Sequence, residues 1–422
     1  MNAEASGSGA VSAGDGADKL HGELGARIAG RGVGEPLRVI VRFRDPQVGR
    51  GLLAATLEAT QVRHFELVPA SALIAPPSLI QELARDPNVE VIWEDLPVHT
   101  MLDFSVPHIQ VPAVWGEGRR GRGVTVAVVD TGIDEAHPDF TGRIVATQAF
   151  GSPTPHDGNG HGTHVASIIA GDGRASNGRY TGVAPEASLL AAKVLRDDGS
   201  GFMSDVMAGV EWAVQQGARV INLSLGSDGS CDGTDALSVT CDAAVGRGAV
   251  VCVAAGNAGP APRTVGSPGC ARNVITVGAS TDNDAIASFS SRGPTKDGRV
   301  KPDIVFPGHN IIAARAQGTS MGSPVDQFYT SASGTSMATP HCSGAVALIL
   351  EAEPALAPLA VKQRLIGAAV NLGLDANTQG AGRADVYAAV HGTTPTPPPT
   401  PPPTPEPPPG CLGSVLRLLH LA

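Results

Sequence analysis

The sequence predicts an α/β domain at residues 101–392, built on a parallel sheet with helices on both faces. From residue 104 to 390, short runs rich in β-branched residues alternate with longer apolar segments of helical character. This alternation is typical of a parallel sheet covered on both sides. The chain has 422 residues, 42% of them hydrophobic, so it can bury a large core. The predicted strands are 124–130, 188–195, 219–226, 248–255 and 273–279, and the predicted helices are 161–171, 204–217, 235–247, 336–352 and 358–370.

Residues 19–100 predict a separate, smaller α+β domain ahead of the first. Its segments alternate between strand patterns and short helical patterns, and one helical pattern begins with Pro77, a residue that suits the first turn of a helix. Such an order suits a small sheet with helices packed on it. The predicted strands are 37–43, 65–75 and 89–95, and the predicted helices are 47–60 and 77–85.

The two ends of the chain differ in composition from both domains. Residues 1–18 are small and polar, so we expect them to be disordered, and they lack the basic start and apolar core of a signal peptide. Residues 393–410 are proline-rich and predict an extended spacer. Residues 411–422 are apolar but too few to span a bilayer or to fold alone. They could be a remnant of a lost domain or a weak attachment segment.

The net charge and the cysteine content limit which classes of function the chain can have. The formal net charge of −10 argues against nucleic acid and anionic membranes as partners. No run of about 18 apolar residues is present, so no transmembrane helix is expected. Cys231 and Cys241 bracket a polar loop, and we predict a disulfide between them. Cys252 and Cys342 lie in apolar segments and are expected to be buried, unreactive side chains.

Three stretches carry residues that together suit nucleophilic catalysis. Ser336 lies in GTSMATPH at 334–341, where a buried helix opens. Asp130 ends the apolar strand 124–130, and His161 follows a glycine-rich loop at the start of another helix. Singly, each residue has a structural reading: a helix cap, a strand-end cap or a buried histidine. Together they supply a nucleophile, a base and an orienting carboxylate.

The blocks around Asp130, His161 and Ser336 resemble those of the subtilases, the subtilisin-like serine proteases, in the same chain order. A fourth block, VVCVAAGNAG at 250–259, resembles the segment that carries the family's oxyanion-hole asparagine, here Asn257. The resemblance spans residues 103–391. It implies a serine endopeptidase that acts on proteins and peptides and needs no catalytic cofactor. Within the family, GTSM at 318–321 resembles thermophilic and archaeal members.

The same resemblance implies how the enzyme is made. Residues 19–100 look like the inhibitory propeptide that precedes subtilase domains. The chain would then be a zymogen that cuts itself between about 97 and 103 and is held inhibited by its own propeptide. We expect a monomer, and the resemblance implies secretion although no signal peptide is visible.

Two segments are expected to form the walls of the substrate pocket. Family resemblance places Ser224, Leu225 and Gly226 on one side, and Ala254, Ala255 and Gly256 on the other. No charged residue lies in either segment, so we predict a broad preference for apolar or neutral side chains. The first segment also offers a backbone edge to which an extended substrate could add as a strand.

Many members of the family bind calcium, and this sequence carries only part of their calcium-binding pattern. Asp139 matches a position that often binds calcium in subtilases. The loop at 171–180, however, departs from the usual calcium loop in length and sequence. We therefore expect a structural calcium ion but name no full set of ligand residues for it.

Other readings of these motifs are weaker. Ser320 repeats the Gly-Thr-Ser-Met pattern, but polar residues follow it instead of a helix. His164 and His341 are expected to be structural. A catalytically silent, peptide-binding relative would lack a member of the triad, and none is missing. An esterase of the α/β-hydrolase type would carry its serine in Gly-x-Ser-x-Gly ahead of the acid and histidine, whereas Ser336 comes last.

Overall fold

The computed structural model describes residues 35–54, 59–65, 69–94, 102–227 and 229–393, together with Gly16, Lys19, Leu20, Leu24, Gly25 and Ile28. The chain divides into two compact units, Met1–His99 and Thr100–Ala422. The first unit contains β1 (Leu37–Phe43), α1 (Pro46–Ala54), β2 (Thr60–His64), β3 (Ala70–Ala75), α2 (Pro77–Arg85) and β4 (Val89–Glu94).

Four antiparallel strands form the first unit, in the order β2-β3-β1-β4. Along β1, buried side chains alternate with partly or fully exposed ones, as expected of a sheet with one buried face. Helix α2 covers that face with Ile80 and Leu83. The predicted helix 47–60 is wrong at its C-terminal end, because residues from Thr60 onward pair with β3.

The second unit is the predicted α/β domain. Its helices are α3 (Leu102–His108), α4 (Val111–Gly116), α5 (His161–Ala170), α6 (Met203–Gln215), α7 (Ala236–Gly246), α8 (Thr335–Ala352), α9 (Pro358–Gly367), α10 (Ala376–Gln379) and α11 (Val386–His391). Its strands are β5 (Thr125–Asp130), β6 (Ile144–Ala149), β7 (Ser188–Lys193), β8 (Val220–Leu223), β9 (Val250–Ala254), β10 (Ile275–Ser280), β11 (Ile304–Pro307), β12 (Ile311–Ala314), β13 (Ser323–Pro324) and β14 (Tyr329–Ala332). Short 3₁₀ turns lie at Pro138–Phe140 and Arg174–Ser176.

Seven parallel strands form the main sheet, in the order β11-β10-β9-β8-β5-β7-β6. The central strand β5 shows how both faces are buried. Val126 and Val128 belong to the core that includes α5 and α8, whereas Ala127 and Val129 belong to the core that includes α6 and α7. The predicted fold class is confirmed. All ten predicted helices and strands of this domain are present, with bounds shifted by one to three residues.

The two edge strands of the main sheet, β6 and β11, were not predicted from the sequence. In β6, exposed and half-buried side chains follow one another without a clear period, so its sequence carries no strong strand pattern. Strand β11 has only four residues and ends in proline. A third, antiparallel sheet of β12, β14 and β13 was also not predicted.

The predicted Cys231–Cys241 disulfide is wrong, because Cys231 is bonded to Cys270, with the Cα atoms 5.9 Å apart. Asp235 caps the start of α7 by accepting a hydrogen bond from the Ser238 N–H. Cys241 lies within that helix and is buried among core side chains, whereas Cys231 lies in the loop before the helix. Cys252 and Cys342 are buried free cysteines, as predicted.

Several predictions fall outside the described residues. They are most of the polar segment 1–18, nearly all of the spacer 393–410, the tail 411–422 and most of the expected cleavage region 97–103. In the described part of the chain, no helix is long and apolar enough to cross a membrane.

Candidate active site

A cleft of about 610 Å³ lies beside the carboxyl ends of the central strands and the first turns of α5 and α8. His161, Asn257 and Ser336 all line it. Strand β5 ends at Asp130, α5 begins at His161, and α8 begins one residue before Ser336. Open parallel sheets place their ligand sites at such strand ends, because the loops that follow the strands converge there.

His161 and Asp130 form a hydrogen-bonded pair. His161 Nδ1 lies 2.7 Å from Asp130 Oδ1, which also accepts the Thr131 N–H at 2.8 Å. The carboxylate is fully buried, whereas the imidazole is 22% exposed. A carboxylate on Nδ1 fixes the tautomer that carries its proton there, so Nε2 is left as an acceptor.

The pKa of His161 is raised above its ordinary value. Burial acts to lower the pKa, but the charge of Asp130, its hydrogen bond and the charge of Asp157 together raise it by more. The site thus favours the imidazolium more than water does.

Asp157 organises the loop before His161, a role that was not predicted from the sequence. This carboxylate is fully buried. It accepts hydrogen bonds from three backbone N–H groups of segment 159–163 and from the hydroxyls of Thr131 and Thr163, at 2.6–3.0 Å. The one available signal was an aspartate just ahead of a glycine-rich loop that opens a helix, where a carboxylate satisfies free N–H groups.

Ser336 lies in the first turn of α8, where backbone N–H groups have no acceptor within the helix. Its hydroxyl donates to the Ser224 carbonyl at 3.0 Å. In turn, the Ser224 hydroxyl donates to the Ser336 carbonyl at 2.9 Å. The serine hydroxyl therefore points to the strand side of the cleft in this structure, and its hydrogen-bond partner is not His161.

Asn257 is oriented by Thr335, the residue before Ser336. Its side-chain oxygen accepts from the Thr335 N–H at 2.9 Å and from the Thr335 hydroxyl at 3.0 Å. That oxygen assignment leaves the amide nitrogen as the group that can donate into the cleft. The fully buried Thr335 hydroxyl also accepts from the Gly256 N–H at 3.2 Å, so one threonine holds both the asparagine and a pocket wall.

All six residues expected in the pocket walls line the cleft: Ser224, Leu225, Gly226, Ala254, Ala255 and Gly256. Gly266 and Ser267, which were not predicted from the sequence, also line the cleft. A side chain at Gly266 would collide with the Ser227 carbonyl, so this wall must be bare backbone. Among the described lining residues, His161 is the only one with an ionisable imidazole, amine or carboxylate.

Two other histidines and one other serine do not line the cleft. His164 is buried against two backbone carbonyls, and burial lowers its pKa to about 3. His341 accepts from the Ser105 hydroxyl at 2.8 Å and donates to the Met337 carbonyl, and burial lowers its pKa to about 4. Ser320 is exposed between β12 and β13 and does not line the cleft.

Asp139, the residue that matches a calcium-binding position, does not fit that role here. One oxygen of its fully buried carboxylate accepts the Ala175 N–H at 2.9 Å, and the other accepts the Tyr329 hydroxyl at 2.8 Å. Both contacts are hydrogen-bond donors, whereas calcium requires a shell of oxygen acceptors. Calcium binding elsewhere in the chain remains a prediction, and no ligand residues are named for it.

A parallel α/β sheet with a serine, a histidine and a buried carboxylate around one cleft is the arrangement of a serine hydrolase. Residues 121–382 match the profile of the subtilase family. Serine protease AprX of Bacillus subtilis strain 168 is 41% identical over 349 residues, covering 76% of this chain and 79% of that protein. Subtilisin E of the same strain is 38% identical over 333 residues, covering 78% and 82%. The chain therefore belongs to the subtilase family and is a subtilisin-like serine endopeptidase.

A solved structure agrees with this assignment. The crystal structure of a cold-adapted subtilisin-like serine proteinase matches with a TM-score of 0.52 and 34% sequence identity, covering 63% of this chain and 88% of that one. The expected closer likeness to thermophilic and archaeal members receives no support from these relatives.

Proposed function

We propose that this endopeptidase cleaves peptide bonds with Ser336 as nucleophile, His161 as general base and Asp130 as the carboxylate that orients it. The observation that carries the proposal is the 2.7 Å pairing of His161 Nδ1 with buried Asp130, in a cleft that Ser336 also lines. This pairing leaves His161 Nε2 as the ring nitrogen that can accept a proton. A serine hydroxyl is too weakly acidic to attack unaided at neutral pH.

These positions support the following reaction. Ser336 Oγ attacks the carbonyl carbon of the substrate while its proton passes to His161 Nε2. The tetrahedral intermediate then collapses: the C–N bond breaks, and His161 returns the proton to the leaving amine. Water, activated by the same histidine, hydrolyses the acyl-enzyme. Ser336 must first leave the Ser224 carbonyl, which requires a rotation about its Cα–Cβ bond.

Asn257 and the backbone N–H of Ser336 are proposed as donors to the oxyanion. The orientation of the asparagine amide and the free N–H groups in the first turn of α8 support this role. Donors held rigidly at this position stabilise charge that appears only in the transition state.

The finer points of substrate and maturation are also proposals. The described cleft residues offer no acidic side chain, which favours neutral and apolar side chains in the substrate. Residues 19–100 are proposed as an inhibitory propeptide removed by self-cleavage. The Cys231–Cys270 disulfide favours an oxidising, extracellular location, because thiols stay reduced in the cytosol. We further propose that the mature enzyme is a monomer.

Labelling by phenylmethylsulfonyl fluoride tests the identity of the nucleophile. We expect one sulfonyl group on the peptide that contains Ser336, found by mass spectrometry of a digest, with loss of casein hydrolysis. The Ser320→Ala variant carries the matched change in the repeated motif and should be labelled as fast as the wild type. Labelling that persists at the same rate in Ser336→Ala would overturn the proposal.

The pH profile of kcat/KM should respond to Asp157. The base must be neutral, so activity falls on the acid side as His161 gains a proton. Removing the negative charge in Asp157→Asn destabilises the imidazolium and lowers the pKa of His161, so the acid limb should move to lower pH. The control is Asp134→Asn, another buried carboxylate that accepts two backbone N–H groups. An unmoved limb in Asp157→Asn, or an equal shift in the control, would contradict the prediction.

A further inference from the structure

A proline inside α8 leaves the backbone of Ser336 without its usual helical partner. In an α-helix the carbonyl of each residue accepts the N–H four residues later. Residue 340 is a proline and has no N–H to give to Ser336. The Ser336 carbonyl accepts the Ser224 hydroxyl instead, at 2.9 Å. The nucleophile's backbone is therefore held from outside its own helix.

The Ser224 hydroxyl is itself held by a fully buried asparagine. Asn222, on β8, donates its Nδ2 to Ser224 Oγ at 3.0 Å. Because this contact uses the hydroxyl oxygen as acceptor, the hydroxyl proton is directed away from Asn222 and toward the Ser336 carbonyl. Asn222 Oδ1 accepts the Ser343 hydroxyl at 2.8 Å, which fixes the orientation of the amide. Ser343 has a second, longer acceptor in the Thr339 carbonyl at 3.3 Å.

We propose that Asn222 and Ser343 are positioning residues for the nucleophile, acting through Ser224. This inference rests on the proposed role of Ser336. The three side chains form a chain of hydrogen bonds that starts on α8, crosses to β8 and returns to α8 at Ser336. It replaces the helical bond that Pro340 removes, and it sets the direction of the first turn.

The orientation of the first turn of α8 affects two groups of Ser336 at once. Ser336 contributes its Oγ for attack and its N–H for the oxyanion. Both groups are attached through the Ser336 Cα to the carbonyl that Ser224 holds, so a shift of the Ser336 backbone displaces both. Asn222 and Ser343 do not line the cleft. Breaking the chain should therefore reduce the rate of acylation and leave the pocket that binds substrate unchanged.

The test compares Ser343→Ala, Asn222→Ala and the control Ser167→Ala, each as processed enzyme. Ser167 is a fully buried helical serine whose hydroxyl has no hydrogen-bond partner among the described residues. The readouts are kcat and KM on a neutral peptide, the rate constant of labelling by phenylmethylsulfonyl fluoride, and the melting temperature. We expect kcat and the labelling rate to fall about tenfold in Ser343→Ala and further in Asn222→Ala, with KM within about twofold of wild type.

The outcomes distinguish a role in positioning Ser336 from a role only in the stability of the folded enzyme. A lower melting temperature with unchanged kcat and labelling rate would overturn the proposal, and so would equal losses in Ser167→Ala. Ser343→Ala removes one hydroxyl and keeps the test valid if Asn222→Ala does not fold. If the wild type itself is not labelled at Ser336, the proposed function fails; if it is labelled and the variants react equally fast, only this inference fails.

Discussion

Replacing Ser336 with alanine is expected to lower kcat for peptide hydrolysis by about 10⁶-fold, the magnitude found for the nucleophile of subtilisin, a relative of this chain. In the proposed mechanism, the substitution removes the oxygen that forms the acyl-enzyme. It leaves the pocket walls and Asn257 in place, so KM should change little and a residual rate above that of water should remain. Activity within tenfold of the wild type would show that Ser336 is not the nucleophile.

The same substitution should stop maturation. If residues 19–100 are a propeptide removed by self-cleavage, the wild type should acquire a new N-terminus between about 97 and 103, and Ser336→Ala should keep its original one. Mass spectrometry of both intact proteins measures this directly. Ser320→Ala serves as the control and should be processed normally. A Ser336→Ala chain that is cut at the same site in the absence of any active enzyme would contradict self-processing.

The sequence allowed the fold and the candidate triad to be predicted because both depend on local patterns. Strand β5 is an uninterrupted apolar run that ends at Asp130, and such a run indicates a central strand buried on both faces. His161 is the first residue of its helix and Ser336 the second residue of its own, each after small residues, which identifies their position without knowledge of the fold. Edge strand β6 lacked any such pattern, because its residues face partly into solvent.

The contacts that position the site could not be predicted in the same way. Asp157 acts on residues nearby in sequence, but its charge affects His161 only because the loop is folded around it. Thr335 meets Asn257 across 78 residues, and Ser224 meets Ser336 across 112. The pairing of Cys231 with Cys270 likewise depends on two loops that meet only in the folded chain. A single sequence specifies such pairs through packing, which has no local pattern.

Replacing Asp130 with asparagine is expected to lower kcat by about 10⁴-fold, with KM nearly unchanged because Asp130 is fully buried and does not line the cleft. The amide has two orientations, and each has a cost. With its oxygen toward His161, the tautomer is kept, but the NH₂ group takes the place of Oδ2, which is buried and has no hydrogen-bond partner in the described part of the chain. With its nitrogen toward His161, the NH₂ group opposes the Thr131 N–H and forces the proton of the imidazole onto Nε2.

Both orientations also remove the negative charge that, in the proposed mechanism, stabilises the imidazolium in the transition state. Because the charge of Asp130 and its hydrogen bond raise the pKa of His161, that pKa should fall in Asp130→Asn. The acid limb of kcat/KM should then move to lower pH while the plateau drops, and a pH series on a neutral peptide measures both effects. A retained plateau with a shifted limb would mean that the carboxylate tunes the histidine without being needed for the reaction. A lower plateau with an unmoved limb would show that the Asp130 charge does not reach the base, and either result would contradict the role assigned to this pair.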